Sequence, residues 1–61
     1  MSLEAIEKIS QVEQENRERR AAADAQAKQL VADAQRDGQA LIQKTRADAA
    51  EKGKEMLRQA E

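Results

Sequence analysis

The apolar residues of this chain are mostly alanine, and this limits what it can fold into. Thirteen of its 24 hydrophobic residues are alanine, and Phe, Tyr and Trp are absent. Burying a large apolar side chain contributes about 1.5–3 kcal/mol, whereas an alanine contributes much less. A chain of 61 residues with so few large apolar side chains has too little material for a globular core. We therefore expect residues 1–61 to form one extended helix without a globular domain.

The absence of proline favours a helix without interruption. Ser2 is a suitable N-cap, and Glu4 places a negative charge in the first turn, where it interacts favourably with the helix dipole. Gly38 and Gly53 oppose the helix by about 1 kcal/mol each. Since no cap or breaker precedes Glu61, we expect this segment to belong to a longer helix.

Acidic residues are repeatedly followed by a basic residue four positions later, which is the favourable order on a helix. Each such pair contributes about 0.2–0.5 kcal/mol to an isolated helix. The predicted pairs are Glu4–Lys8, Glu13–Arg17, Glu15–Arg19, Asp24–Lys28 and Asp48–Lys52.

Apolar and small residues recur every eleven positions, whereas a heptad frame soon places charged residues on the apolar face. Thirteen of 16 positions on three eleven-residue tracks are aliphatic, Met, Ala or Gly. Eleven residues in three turns exceed the natural helical period slightly, which predicts a straight to right-handed supercoil. The predicted fold class is all-α: a single long helix that forms a coiled coil with a partner helix. The tracks are Ala5/Asn16/Ala27/Gly38/Ala49/Ala60, Ile9/Arg20/Val31/Ile42/Gly53 and Val12/Ala23/Ala34/Thr45/Met56.

The candidate functional residues form the helix-pairing interface. Small residues there allow the backbone of a partner helix to approach closely, which gives Gly38 and Gly53 a role. Asn16 and Arg20 interrupt the pattern, and no apolar residue larger than alanine lies in Glu13–Gln29, so we expect pairing to be weakest there. The predicted interface residues are Ile6, Ile9, Val12, Ala23, Ala27, Leu30, Val31, Ala34, Gly38, Leu41, Ile42, Ala49, Gly53 and Met56.

The charges of the chain are dense but balanced, with 11 basic and 12 acidic residues. This balance argues against a nucleic acid partner, which would require an excess of Lys and Arg. Arg17, Arg19 and Arg20 form a local basic cluster, but glutamates interleave with them in the sequence. We interpret this segment as a solvated, salt-bridged surface in preference to a phosphate site.

Residue types that catalysis and cofactor binding commonly use are missing from the sequence. Cys and His are absent, and the two glycines stand alone, so neither a transition-metal site nor a glycine-rich phosphate loop is indicated. A single helix with solvated acids also brings no catalytic groups together. We expect no enzyme activity, catalytic residue, cofactor or metal. The longest apolar runs have three residues, so no membrane span is expected either.

The sequence resembles the small peripheral-stalk component of rotary ATPases, which is designated H in A-type and G in V-type enzymes. The resemblance rests on three segments and on the eleven-residue pattern of Ala, Glu, Gln and Arg. The segments are Leu3-Glu4-Ala5-Ile6-Glu7-Lys8-Ile9, Ala32-Asp33-Ala34-Gln35-Arg36 and Arg46-Ala47-Asp48-Ala49-Ala50-Glu51.

This resemblance implies a non-catalytic structural subunit of an A-type ATP synthase or V-type ATPase, of which the chain would be the N-terminal portion. The chain would pair in a right-handed coiled coil with the second stalk component of those enzymes, which is designated E and which we call the E stalk protein. Self-association is the other possibility for the partner. The resulting stator would hold the catalytic head static against the membrane-embedded part of the complex while the rotor turns in proton or ion transport. The location implied is cytoplasmic and peripheral to the membrane.

Other classes of protein share parts of this pattern. A stalk helix of the F-type ATP synthase, or another coiled-coil scaffold, has the same right-handed tendency. A stress-protective protein with eleven-residue repeats has a similar composition, but it has little need for Leu30/Val31 and Leu41/Ile42. A helix lying on a membrane surface is disfavoured by the thin alanine stripe and the absence of Trp and Phe.

Overall fold

A computed structural model describes all residues from Met1 to Glu61. It contains one element, helix α1, which begins at Leu3 and ends at Ala60. The helix has 58 residues and the chain has no strand. The predicted all-α class and the single long helix are therefore confirmed.

The N-terminus of α1 is capped by Ser2, as predicted. The backbone N–H of Ala5 donates to Ser2 Oγ at 3.1 Å. The N–H of Ile6 donates to the Ser2 carbonyl at 3.1 Å, which closes the first turn. The hydroxyl thus satisfies one of the N–H groups that have no partner inside a helix.

Both glycines lie inside α1 without breaking it, and neither has a positive φ. A Cβ atom added at Gly38 or Gly53 would meet nothing within 4 Å. Alanine, the better helix former, would therefore fit both positions of the chain alone. The structure of the chain alone therefore gives no steric or conformational reason for glycine at these positions.

Two units divide the helix: the N-terminal unit, Met1–Val31, and the C-terminal unit, Ala32–Glu61. Within each unit every contact joins residues that are close in sequence. No side chain is buried in either unit; only Ala5 and Asp33 are partly covered. The chain alone therefore has no hydrophobic core, and its helix lacks the packing that stabilises most helices in proteins.

Candidate helix-pairing surface

The predicted interface residues of the N-terminal unit lie on one side of the helix. At about 100° per residue, they fall within an arc of about 120° centred on Ile9 and Ala27, which lie about five turns apart on one line. Ile9 and Val12 are 47% and 44% exposed, so a partner helix could still cover about half of each side chain. We call this set the N-terminal stripe. It comprises Ile6, Ile9, Val12, Ala23, Ala27, Leu30 and Val31.

The predicted interface residues of the C-terminal unit also share one side of their segment, within an arc of about 120°. On this side Leu41, Ile42 and Met56 are 64%, 45% and 61% exposed, and Leu57, which lies outside the arc, is 68% exposed. We call this set the C-terminal stripe. It comprises Ala34, Gly38, Leu41, Ile42, Ala49, Gly53 and Met56.

A shallow groove marks the C-terminal stripe at Gly38. It is lined by Gln35, Arg36, Gly38, Gln39 and Ile42. Gly38 contributes no side chain to this groove, and Ile42, one turn later, is the one large apolar residue that lines it. A groove of this kind is where a side chain or the backbone of a partner helix can approach α1 closely.

The charges of the N-terminal unit are sorted by side of the helix. About 100° per residue places five basic residues on or beside the N-terminal stripe, together with the acids Glu13 and Asp24, a net charge of +3. The opposite side, which we call the back face, carries four acidic residues and no basic one. The basic residues, which we call the basic border, are Lys8, Arg17, Arg19, Arg20 and Lys28; the back-face acids are Glu4, Glu7, Glu15 and Glu18.

Two of the back-face carboxylates are hydrogen-bonded by glutamine instead of arginine. Gln11 Nε2 donates to Glu15 Oε1 at 3.3 Å, and Gln14 Nε2 donates to Glu18 Oε1 at 3.1 Å. In turn Arg17 Nη2 donates to Gln14 Oε1 at 2.7 Å. Glu15 and Glu18 are therefore bonded to neutral amides and not to basic side chains.

The surface around the arginine cluster is solvated, as predicted, but the predicted salt bridges of the arginines are not formed. None of Arg17, Arg19 and Arg20 forms an ion pair, and the only ion pair of the N-terminal unit joins Lys28 to Asp24 at 3.0 Å. Of the five predicted pairs, Asp24–Lys28 is therefore the one that is formed. Glu13 and Glu15 lie four residues before Arg17 and Arg19, which is a suitable spacing for ion pairs on a helix. In the structure Arg17 donates to Gln14 instead, and Glu15 accepts from Gln11.

In the C-terminal unit, by contrast, most of the acidic residues have a basic partner. Asp48 pairs with Lys44 at 2.7 Å and not with the predicted Lys52. Arg36 lies 3.3 Å from Asp33 and 3.4 Å from Asp37. Near the end of α1, Arg58 Nη2 lies 2.6 Å from Glu55 and 3.5 Å from Glu51.

The basic border of the N-terminal stripe is a feature that the linear sequence pattern did not predict. Along the sequence the arginines alternate with glutamates, which hides the fact that four acids lie on the back face, where there is no basic residue. A projection of the sequence onto a helix places Arg20 within the stripe, Arg17 and Arg19 just outside its two edges, and Lys8 and Lys28 somewhat farther out. The basic border could therefore have been found from the sequence by projecting its charged residues onto a helix.

The chain has no group of His, Cys, Asp or Glu side chains placed to hold a metal ion. Helix α1 lacks the apolar character that a membrane-crossing helix requires. No protein family model matches the chain, and neither curated proteins nor solved structures show significant similarity to it.

Proposed function

We propose that this chain is a non-catalytic helix that acts by pairing, and that it serves in the peripheral stalk of an A-type or V-type rotary ATPase. The observation that carries the proposal is the combination of one uninterrupted helix with apolar stripes that its own chain leaves exposed. A helix of this kind lacks the tertiary packing from which most helical stability in proteins comes. Covering the stripes with a second helix would supply the missing stabilisation.

The specific role in a stalk is supported by the sequence resemblance to the small stalk component of these enzymes. The opening segment contributes Ile6 and Ile9 to the N-terminal stripe, and the later segments contribute Ala34 and Ala49 to the C-terminal stripe. The residues that carry the resemblance thus include residues that the proposed pairing requires. The proposed partner is the E stalk protein, in a coiled coil of eleven-residue repeats located on the cytoplasmic side of the membrane.

A stalk needs stiffness, and pairing provides it. A paired helix resists bending and unwinding because its apolar side chains would lose their contacts if the helices separated. Small residues such as Ala27 and Gly38 bring the two backbones close, whereas Arg20 interrupts the apolar contact. The proposed pair therefore combines firmly held stretches with a weaker one, which is compatible with elastic transmission of torque between head and stator.

The proposal is tested by mixing the chain with the E stalk protein from the same genome and following the mixture by sedimentation and far-UV circular dichroism. The expected result is a one-to-one complex whose helical signal exceeds the sum of the separate proteins. A matched pair of variants assigns the surface: Ile42→Ser should weaken the complex, and Leu57→Ser should leave it intact. A mixture that behaves in both measurements as two independent proteins would contradict the stalk role.

A further inference from the structure

The basic border of the N-terminal stripe indicates what kind of helix fits it. We propose that this stripe binds a helix whose apolar side is bordered by carboxylates, and that the basic residues select such a partner over a second copy of the chain. The inference rests on the proposed pairing function and deepens it by giving the chemistry of the partner.

The arginines beside the stripe retain hydrogen-bonding capacity for an external carboxylate. Arg17 donates to the neutral Gln14, and Arg19 and Arg20 form neither an ion pair nor a hydrogen bond with any residue of the chain. A guanidinium offers five N–H donors in a planar fork that matches a carboxylate. Charge-assisted bonds of this type are about twice as strong as bonds between neutral groups.

A second copy in a parallel pair would supply few of those carboxylates, because only Glu13 and Asp24 lie on or beside the stripe and Asp24 is already paired with Lys28. In register, Arg20 of one chain would face Arg20 of the other at the centre of the apolar contact. The basic edges that contain Arg17 and Arg19 would also adjoin each other. The back-face glutamates lie on the far side of each helix, so they could not neutralise this repulsion.

An antiparallel copy would bring the N-terminal stripe of one chain against the C-terminal stripe of the other. The carboxylates that border the C-terminal stripe are already engaged by basic residues of their own unit. Asp37 lies 3.4 Å from Arg36, Asp48 lies 2.7 Å from Lys44, and Glu55 lies 2.6 Å from an arginine one turn later. A second copy thus offers few uncommitted acids in either orientation.

An anionic lipid surface is the other ligand that a basic border could suit, but the stripe itself argues against it. Membrane-surface helices bury large apolar side chains among the acyl chains. Between Val12 and Leu30 the stripe offers only Ala23 and Ala27, with Arg20 near its centre line. Alanines instead permit the close approach of another helix, and an acid on that helix would neutralise Arg20.

The experiment uses a charge-reversed form of the full chain as the acid-bordered probe. The triple variant Arg17→Glu, Arg19→Glu, Arg20→Glu keeps the apolar pattern and substitutes residues of similar helix propensity. The matched neutral control is Arg17→Gln, Arg19→Gln, Arg20→Gln. Each chain is examined alone and mixed with the wild-type chain by sedimentation equilibrium and circular dichroism, in low and in high salt.

The expected result is association of wild type with the charge-reversed chain at least tenfold tighter than self-association of either one. It should also be at least tenfold tighter than association of wild type with the neutral control. Raising the salt concentration should reduce this advantage, because screening weakens the charge contribution. The inference is overturned if the wild-type chain associates equally with itself, with the neutral control and with the charge-reversed chain.

Two further arms separate this inference from its alternatives. Vesicles of phosphatidylcholine with and without phosphatidylserine test whether the stripe binds a lipid surface. The inference would be overturned if the anionic vesicles increased the helix content of the wild-type chain and the charge-reversed chain did not. With the E stalk protein, equal binding of wild type and the neutral control would refute the charge selection while leaving the stalk proposal intact. Association with the charge-reversed chain but not with the E stalk protein would refute the stalk proposal alone.

Discussion

Arg17 donates to the amide oxygen of Gln14 at 2.7 Å, although Glu13 lies four residues before it in a favourable position for an ion pair. Gln14 in turn donates to Glu18 at 3.1 Å, on the back face. A neutral side chain therefore connects the basic border of the N-terminal stripe to the acidic back face. The guanidinium keeps its charge uncompensated beside the surface that we propose is covered by a partner.

The stripe leads to a prediction at Arg20. Replacing it with leucine removes the charge repulsion between copies and fills the gap between Val12 and Leu30 with an apolar side chain. We expect Arg20→Leu to self-associate under conditions in which the wild-type chain is monomeric, as measured by sedimentation equilibrium. The control Gln11→Leu adds the same side chain to the back face and should remain monomeric. Equal association of both variants would show that any added leucine is sufficient.

The substitution Gly38→Ala should stabilise the free helix but weaken its binding to the partner. Because no atom lies within 4 Å of an added Cβ, Gly38→Ala should stabilise the free helix by about 1 kcal/mol, seen as a higher helical signal at low concentration. The same methyl group would occupy the groove beside Ile42 and should weaken the complex with the partner. An affinity that increases together with helix content would show that this groove is not a point of close approach.

The C-terminal stripe can be distinguished from other exposed apolar residues by a pair of alanine substitutions. Ile42→Ala should weaken the complex by roughly 2 kcal/mol or more, as truncation of a buried aliphatic side chain does. Leu57→Ala should change it little, since Leu57 lies outside the stripe. Titration of the partner by calorimetry measures both. If the two substitutions cost the same, apolar content and not position would control binding.

The N-cap gives a prediction that is independent of any partner. Ser2→Ala removes the oxygen that accepts from the Ala5 N–H and should destabilise the N-terminal end of α1 by about 0.5–2 kcal/mol. Amide hydrogen exchange of the first turn should accelerate accordingly. Ser10→Ala replaces a serine inside the helix with a better helix former and should have no such effect. Unchanged exchange in Ser2→Ala would show that the cap is not formed in solution.

Much of the fold could be predicted from the sequence because its determinants are local. The lack of proline, the Ser2 cap and the composition define α1, and the two glycines are tolerated within it. The side-chain pairing was less predictable, since several rotamers compete on an exposed helix. Gln14 takes the position that spacing alone assigned to Glu13, and Lys44 replaces Lys52 beside Asp48. The stripes stay predictions as an interface, because pairing depends on a second chain.

The central claim, that the N-terminal stripe is covered by a partner, is tested most directly by two single labels. Ala27 lies at the centre of the stripe and Ala25 on the back face; both are exposed alanines of α1. Spin labels are attached through Ala27→Cys and, separately, Ala25→Cys, and their mobility is measured before and after the E stalk protein is added. We expect the label at position 27 to become immobilised while the label at position 25 stays mobile. Immobilisation of both labels alike, or of the back-face label alone, would contradict the claim.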